Sequence, residues 1–260
     1  MPTGRIEIFP HEPLRSPVLI QAFAGWNDGG EAASHALATL LETLEAERVA
    51  VVETEEFLDF TVVRPSVRME GDSRRIVWPD HEYFAVRSDA QPFDLVIGLG
   101  VEPHLRWRAY CETLEQLLAG LGIEQVTLLG AYLDEVIYSQ PVQVMGSSTR
   151  PEIQSRLGGE AGRYEGATGI VGVLGQRLEE SGLPVLNLWA GLPHYVSRTP
   201  NPRAALALLQ KFCELSGYRL DLTDLSEQAV AFDREVSEMI SNDPQLVAYV
   251  RELKKRAFSQ

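Results

Sequence analysis

Lysine is nearly missing from this chain: Lys211, Lys254 and Lys255 are the only ones in 260 residues, all late in the sequence. Nucleotide-dependent ligases of the ATP-grasp kind hold phosphates with lysines set among β-strands, and arginine makes a different contact, so that chemistry is disfavoured. Cysteine is just as scarce. Cys111 and Cys213 cannot make a disulfide framework or a metal cage, and both are expected as core thiols on apolar helix faces. No run approaches the ~18 apolar residues of a bilayer span, and Met1–Arg5 precedes no apolar stretch, which predicts no signal peptide and a soluble, cytoplasmic chain. Positive charge is in deficit too. A net charge of −14 argues against a nucleic-acid or anionic-membrane partner, since phosphates call for clustered Lys and Arg. The chain has no Gly-x-Ser-x-Gly elbow and no His-x-x-x-His spacing, and its five histidines are scattered. The expectation is no catalytic residue, no metal and no cofactor.

What is present is an ordinary globular composition, 45% hydrophobic and 23% charged, with segments that alternate in period. Val18–Phe23 reads as a buried strand, followed by a turn at 24–30 and an amphipathic helix with Ala33, Ala36, Leu37, Leu40, Leu41 and Leu44 inward and His35 toward water. Val49–Val52 is a second strand, and the strand–helix–strand unit predicts a parallel pairing of the two. The β-rich stretches within 61–88 read as inserted antiparallel hairpins. Strands at 94–100, 125–129, 142–145 and 185–189 alternate with helices, one of them carrying Trp107, Tyr110, Cys111, Leu114, Leu117 and Leu118 inward, and another opened by Asn201–Pro202. From 221 a capping box at Asp224–Glu227 and a restart at Asp243–Pro244 predict two helices joined as an αα-hairpin. The whole reads as a three-layer α/β/α sandwich around a mixed sheet over 1–220, with a helical hairpin over 221–260 packed on the core or on a neighbouring subunit.

Four places could carry function. The turn Gly25-Trp26-Asn27-Asp28-Gly29-Gly30 sits where a phosphate sits in many α/β proteins. It fits neither dinucleotide nor P-loop spacing, and Asp28 and Glu31 there suit the helix dipole rather than an anion, so a structural turn, a recognition surface and a small-ligand site stay open. His194 follows the end of a core strand, a usual ligand position, or it stabilises its own loop. The acids Glu53, Glu55, Glu56, Asp59 and Asp134-Glu135 read as solvated loop charges. Finally, Gly169, Gly172 and Gly175 leave a helix face almost bare. A backbone should approach it closely, from a strand of the same sheet or from a second subunit.

Together these segments resemble the PAC2 family, the group related to proteasome assembly chaperone 2, in its bacterial branch. The resemblance rests on Gly25-Trp26-Asn27-Asp28-Gly29, Phe57-x-Asp59-Phe60 with Arg64-Pro65, Gly100-x-Glu102-Pro103 with Arg106-Trp107, Gly166-x-Thr168-Gly169, and Pro193-His194-Tyr195-Val196 with Pro200-Asn201-Pro202. It implies a phosphorylase/hydrolase-like α/β/α fold that commonly forms trimers, no established enzyme activity, and a role of the assembly-chaperone or scaffold type. It places Gly25, Trp26, Asn27, Asp28, Glu102, Trp107, Thr168, His194 and Tyr195 on a binding surface for an unidentified protein partner. Two departures stand out. Val136–Pro141 replaces the Pro-His-Thr-Arg-Pro of many relatives, and the end Ala257-Phe258-Ser259-Gln260 lacks the hydrophobic–Tyr–X tail of archaeal assembly chaperones. The alternative is a small-ligand binder or enzyme of nucleoside-phosphorylase type.

Overall fold

A computed structural model of the chain describes residues 4–157, 165–196 and 198–257. In chain order the strands are β1 (Ile6–Ile8), β2 (Val18–Ala24), β3 (Glu47–Val52), β4 (Ser66–Glu70), β5 (Ser73–Val77), β6 (His81–Val86), β7 (Leu95–Val101), β8 (Gln125–Asp134), β9 (Val144–Ser148) and β10 (Val185–Pro193). The helices are α1 (Ala32–Thr43), α2 (Trp107–Gly120), α3 (Pro151–Leu157), α4 (Ile170–Glu180), α5 (Pro202–Ser216), α6 (Thr223–Ser241) and α7 (Pro244–Ala257). Eight strands form one sheet in the order β1-β3-β6-β7-β2-β8-β10-β9, and β4 pairs only with β5.

The centre of the sheet is parallel, β7-β2-β8-β10, and antiparallel strands flank it on both sides. Parallel strands must be covered on both faces, which is why β2 is apolar almost throughout. Its Leu19 and Phe23 join a core beneath α2 and α4, while Ile20 and Ala22 join a core beneath α1 and α5. The result is the α/β/α sandwich with a mixed sheet. The expected parallel pairing of β2 with β3 does not form. β6 and β7 stand between them, so β3 runs in the same direction three places away. The residues 81–86 that read as part of an inserted hairpin are a full member of the main sheet; β4 and β5 alone make a separate hairpin, exposed along its length.

Several smaller expectations shift in the same way. β8 and β10 run on to Asp134 and Pro193, each held by the other in parallel register. The α5 start is as expected, with the Asn201 side chain accepting from the Ala204 N–H and proline in the first turn. The capping box at 224–227 does not form: α6 begins earlier, and Asp221 accepts from the Thr223 N–H and hydroxyl instead. His35 does not simply face water; it is half-buried and its Nε2 has no partner. Of the two cysteines, Cys111 is buried and Cys213 only partly so.

The helical pair α6–α7 lies on its own chain. Leu225, early in α6, enters the core beneath α1 and α5. Farther along, Phe232, Val236, Ile240 and Val250 enclose Val196, with Tyr138 and Tyr195 packed alongside. The pair therefore covers α5 and also the loops that follow β8 and β10.

Candidate functional site

In an open α/β sheet, the loops leaving the carboxyl ends of the parallel strands gather at one edge. Here these are the segments after β2 (Gly25–Glu31), after β7 (Glu102–Arg106), after β8 (Glu135–Ser139) and after β10 (His194–Val196). Because β3 points the same way, the chain leaving β3 and entering β6, residues 53–80, springs from that edge as well.

Glu102 organises one half of the edge. Its Oε2 accepts from the Trp26 N–H at 3.2 Å, and its Oε1 accepts from Asn27 Nδ2 at 2.5 Å and from the Ile170 N–H at 2.8 Å. One carboxylate thus closes the β2 turn and satisfies an otherwise unpaired N–H at the start of α4. A negative charge there also suits the dipole of that helix. Gly25, at φ 132°, gives the turn a backbone conformation that L side chains rarely adopt, with Glu102 packed against it. The main chain is held from the other side, where the Ala131 N–H donates to the Asn27 carbonyl at 2.8 Å.

Asp28 is a helix cap. Its Oδ1 accepts from the Ala33 N–H at 2.7 Å, and its Oδ2 accepts from the Ser34 hydroxyl. Burial pushes this carboxyl above its ordinary range, against the lowering effect of the Ser34 and Ala33 bonds. Asn27 and Asp28 are both buried, so their side chains shape the turn from within. Trp26 is the outward member, 63% exposed. Thr168 is exposed at the entry to α4, its hydroxyl over Gly172. Trp107 is half-buried and donates its indole N–H back to the Pro103 carbonyl at 2.5 Å.

The bare glycine face of α4 receives asparagine side chains rather than backbone. A Cβ on Gly169 would fall 2.3 Å from the Asn27 amide, and one on Gly175 would lie 3.1 Å from Asn187 of β10. Gly158, Gly159 and Gly162 lie outside the described residues.

His194 and Tyr195 sit across the edge with Tyr249 of α7, three rings with centroids 5.4–5.6 Å apart in edge-to-face contact. The Tyr195 hydroxyl accepts from the Tyr138 N–H at 2.9 Å and donates to the Val136 carbonyl at 3.0 Å, pinning the loop after β8. His194 Nδ1 lies 3.2 Å from the Asp134 carbonyl, which places the proton on Nδ1 and leaves Nε2 to face the Tyr249 hydroxyl at 3.4 Å. His194 therefore ties its loop to β8 and to α7.

The loop acids are exposed or half-exposed and locally bonded: Glu56 pairs with Arg106, Glu53 with Arg5, and Asp59 accepts from Thr61. Arg106 adopts a left-handed backbone at φ 55°, and so does Glu31 at φ 52°. Such conformations cost on the order of 1–3 kcal/mol in non-glycine residues and concentrate at functional sites. Burial pushes the Cys111 thiol up to about 12, so it stays protonated. Among the described residues no cluster of three or more His, Cys, Asp or Glu could hold a metal, and no helix is long and apolar enough to cross a membrane.

Sequence reasoning missed the apolar crown of this edge. Of eleven exposed large hydrophobic side chains among the described residues, seven belong to its segments, Trp26, Val62, Val67, Met69, Ile76, Trp78 and Leu105, and an eighth, Leu133, stands at the carboxyl end of β8. The alternation Val67/Met69 and Ile76/Trp78 in the sequence was a signal of a one-sided apolar ribbon. Only the sheet order shows that none of the described residues covers it.

The sequence model described as PAC2 family matches residues 22–240. A Streptomyces avermitilis structure described as a PAC2 family protein is 40% identical, covering 90% of this chain and 99% of its own, with a TM-score of 0.83. A Mycobacterium tuberculosis proteasome-assembly chaperone homologue is 36% identical over 90% of this chain and 99% of its own, with a TM-score of 0.81. A Pyrococcus furiosus archaeal proteasome activator, 18% identical over 92% of this chain and 99% of its own, shares the fold with a TM-score of 0.73.

Proposed function

The chain belongs to the PAC2 family, and on that footing we propose that it is a non-enzymatic, homo-oligomeric, cytoplasmic protein that binds another protein through the carboxyl edge of its sheet and assists assembly of a larger complex. The observation that carries this reading is the apolar crown: Trp26, Leu105, Leu133 and the 62–78 segment expose large side chains at one edge. Patches of that kind mark protein contacts on otherwise polar surfaces. The polar groups beneath them are spent on structure. Glu102 closes a turn, Asp28 caps a helix and His194 ties loops together, which favours a shaped, rigid surface over reactive chemistry.

The likeness to a proteasome-assembly chaperone homologue makes a proteasome subunit the first partner to test. The tagged chain, purified from its native cell, should recover a defined protein in fixed ratio. A variant combining Trp26→Ala with Leu105→Ser should lose it while keeping its melting midpoint. Equal recovery by the variant, or no defined partner in repeated preparations, overturns the reading.

A further inference from the structure

We propose that the outward face of α7 is the charged end of the partner-binding edge, where Arg251, Lys254 and Lys255 take carboxylates from an acidic segment of the protein that the apolar crown holds. The inference rests on the reading of the carboxyl edge as a protein-binding surface and adds the chemistry its occupant must present.

Charge is unevenly spread in this chain. Helix α7 holds Arg251, Lys254, Lys255 and Arg256 against Glu252 alone, and two of the three lysines lie in it. Four bases against one acid give it +3; with the whole chain at −14, the remainder carries −17. Val250 and Leu253 are buried, which turns Arg251, Lys254 and Lys255, at spacings of three and four, toward solvent. Arg256 leaves that face: its guanidinium lies 3.5 Å from Glu252 and 4.0 Å from Glu135. Arg251 and Lys254 have no ion-pair partner among the described residues.

The helix's own needs account for part of this. Bases in the last turn, Lys254, Lys255 and Arg256, suit the dipole of α7. Arg251 stands a turn earlier, and like charges three and four residues apart destabilise a helix. Carboxylates supplied from outside relieve that repulsion.

The place of α7 selects the occupant. Tyr249 packs edge to face on His194 and Tyr195, and Arg256 points toward Glu135, so the helix lies against the loops after β10 and β8. The apolar crown follows the sheet order β6-β7-β2-β8 through the 62–78 segment, Leu105, Trp26 and Leu133. Leu133 is two residues from Glu135, so the apolar band ends beside α7. At the other end, Glu55 and Glu56 are exposed just past β3. The edge is thus acidic near β3, apolar across its middle and basic at α7. Charge of two signs at the two ends fixes a partner's orientation and rejects the reversed pose. A partner seated on the crown places its acidic group at α7.

The test follows a fluorescent polyglutamate peptide by anisotropy at about 50 and 500 mM salt, where the screening length differs roughly threefold. The parent should bind at the lower salt and release at the higher. Arg251→Glu with Lys254→Glu should bind about tenfold more weakly with an unchanged melting midpoint, and Arg251→Gln with Lys254→Gln should fall between. Both replacements are good helix formers; should the reversal lower the midpoint, the glutamine pair decides. Trp26→Ala with Leu105→Ser should hold the peptide as the parent does, since the crown is not part of the strip. In the co-purification, the charge-reversed variant should recover less of the partner at low salt. No peptide binding by the parent, equal binding by the strip variants, or full partner recovery by the reversed variant at both salts overturns the strip. So does a reversed variant whose one change is its oligomeric state, which assigns α7 to a second copy. Peptide bound at α7 with no partner recovered by the parent supports the strip and overturns the proposed function instead.

Discussion

His81 shows how a residue's surroundings set its chemistry. It is fully buried beside Phe23 and Tyr110, its Nδ1 2.6 Å from the Tyr110 hydroxyl. Removal from water disfavours the charged ring and lowers its pKa to about 4 from 6.5. In the unfolded chain the same ring takes up a proton near pH 6.5, so between about 6.5 and 4 the unfolded state binds more protons. Stability present above that window is lost as pH falls through it, by on the order of 3 kcal/mol at the lower end. Asp28 has the opposite sign, because its raised pKa makes the folded state take up a proton first. Urea midpoints measured across this range should therefore fall steeply for the parent and less for His81→Gln, which keeps a hydrogen-bonding side chain without titrating there. Parallel curves would refute the burial argument.

Elements meet here through glycine. On β7, Gly98 lies in register between Gln21 and Tyr83, and Gly100 pairs with Phe23 on one side and has the His81 ring close against it. A Cβ on Gly100 would stand 2.2 Å from the His81 ring, which Tyr110 of α2 holds from its other side. Neither neighbour can retreat, so Gly100→Ala should lower stability by about 1–3 kcal/mol, the usual penalty for overpacking. Gly120 is the control. Its added Cβ meets only the flexible tip of Ile8, so Gly120→Ala at the end of α2 should be neutral or gain up to ~1 kcal/mol from helix propensity. Equal effects of the two substitutions in denaturant melts would contradict the packing described for β7.

At the scale of the molecule, α6 and α7 hold the carboxyl edge together. They cover α5, enclose Val196, and set Tyr249 against His194 and Tyr195. Cutting the chain after Asp221 removes Leu225 from the core beneath α1 and α5 and bares the apolar surface around Val196 and Tyr195. The truncated protein should melt at a clearly lower temperature and bind an apolar dye. A truncation with the parent's midpoint would instead make the helical pair an independent appendage.

The sequence by itself determined the periods. The apolar run at 18–23 could only be a buried strand, the stripe from Ala33 to Leu44 only a packed helix, and Asn201-Pro202 a capped helix start, because burial pattern and caps are local properties. It also marked the order of motifs that places the chain in its family, Trp26, Glu102 and His194 among them. Strand order was not legible: β3 reads as the neighbour of β2 until β6 and β7 come between them. Nor did the local sequence show that Glu102 reaches both Asn27 and Ile170, partners 75 and 68 residues away. Pairing across such separations follows from how the sheet closes and which faces the helices cover. For the same reason, only the tertiary structure could reveal that the 66–77 ribbon stands uncovered.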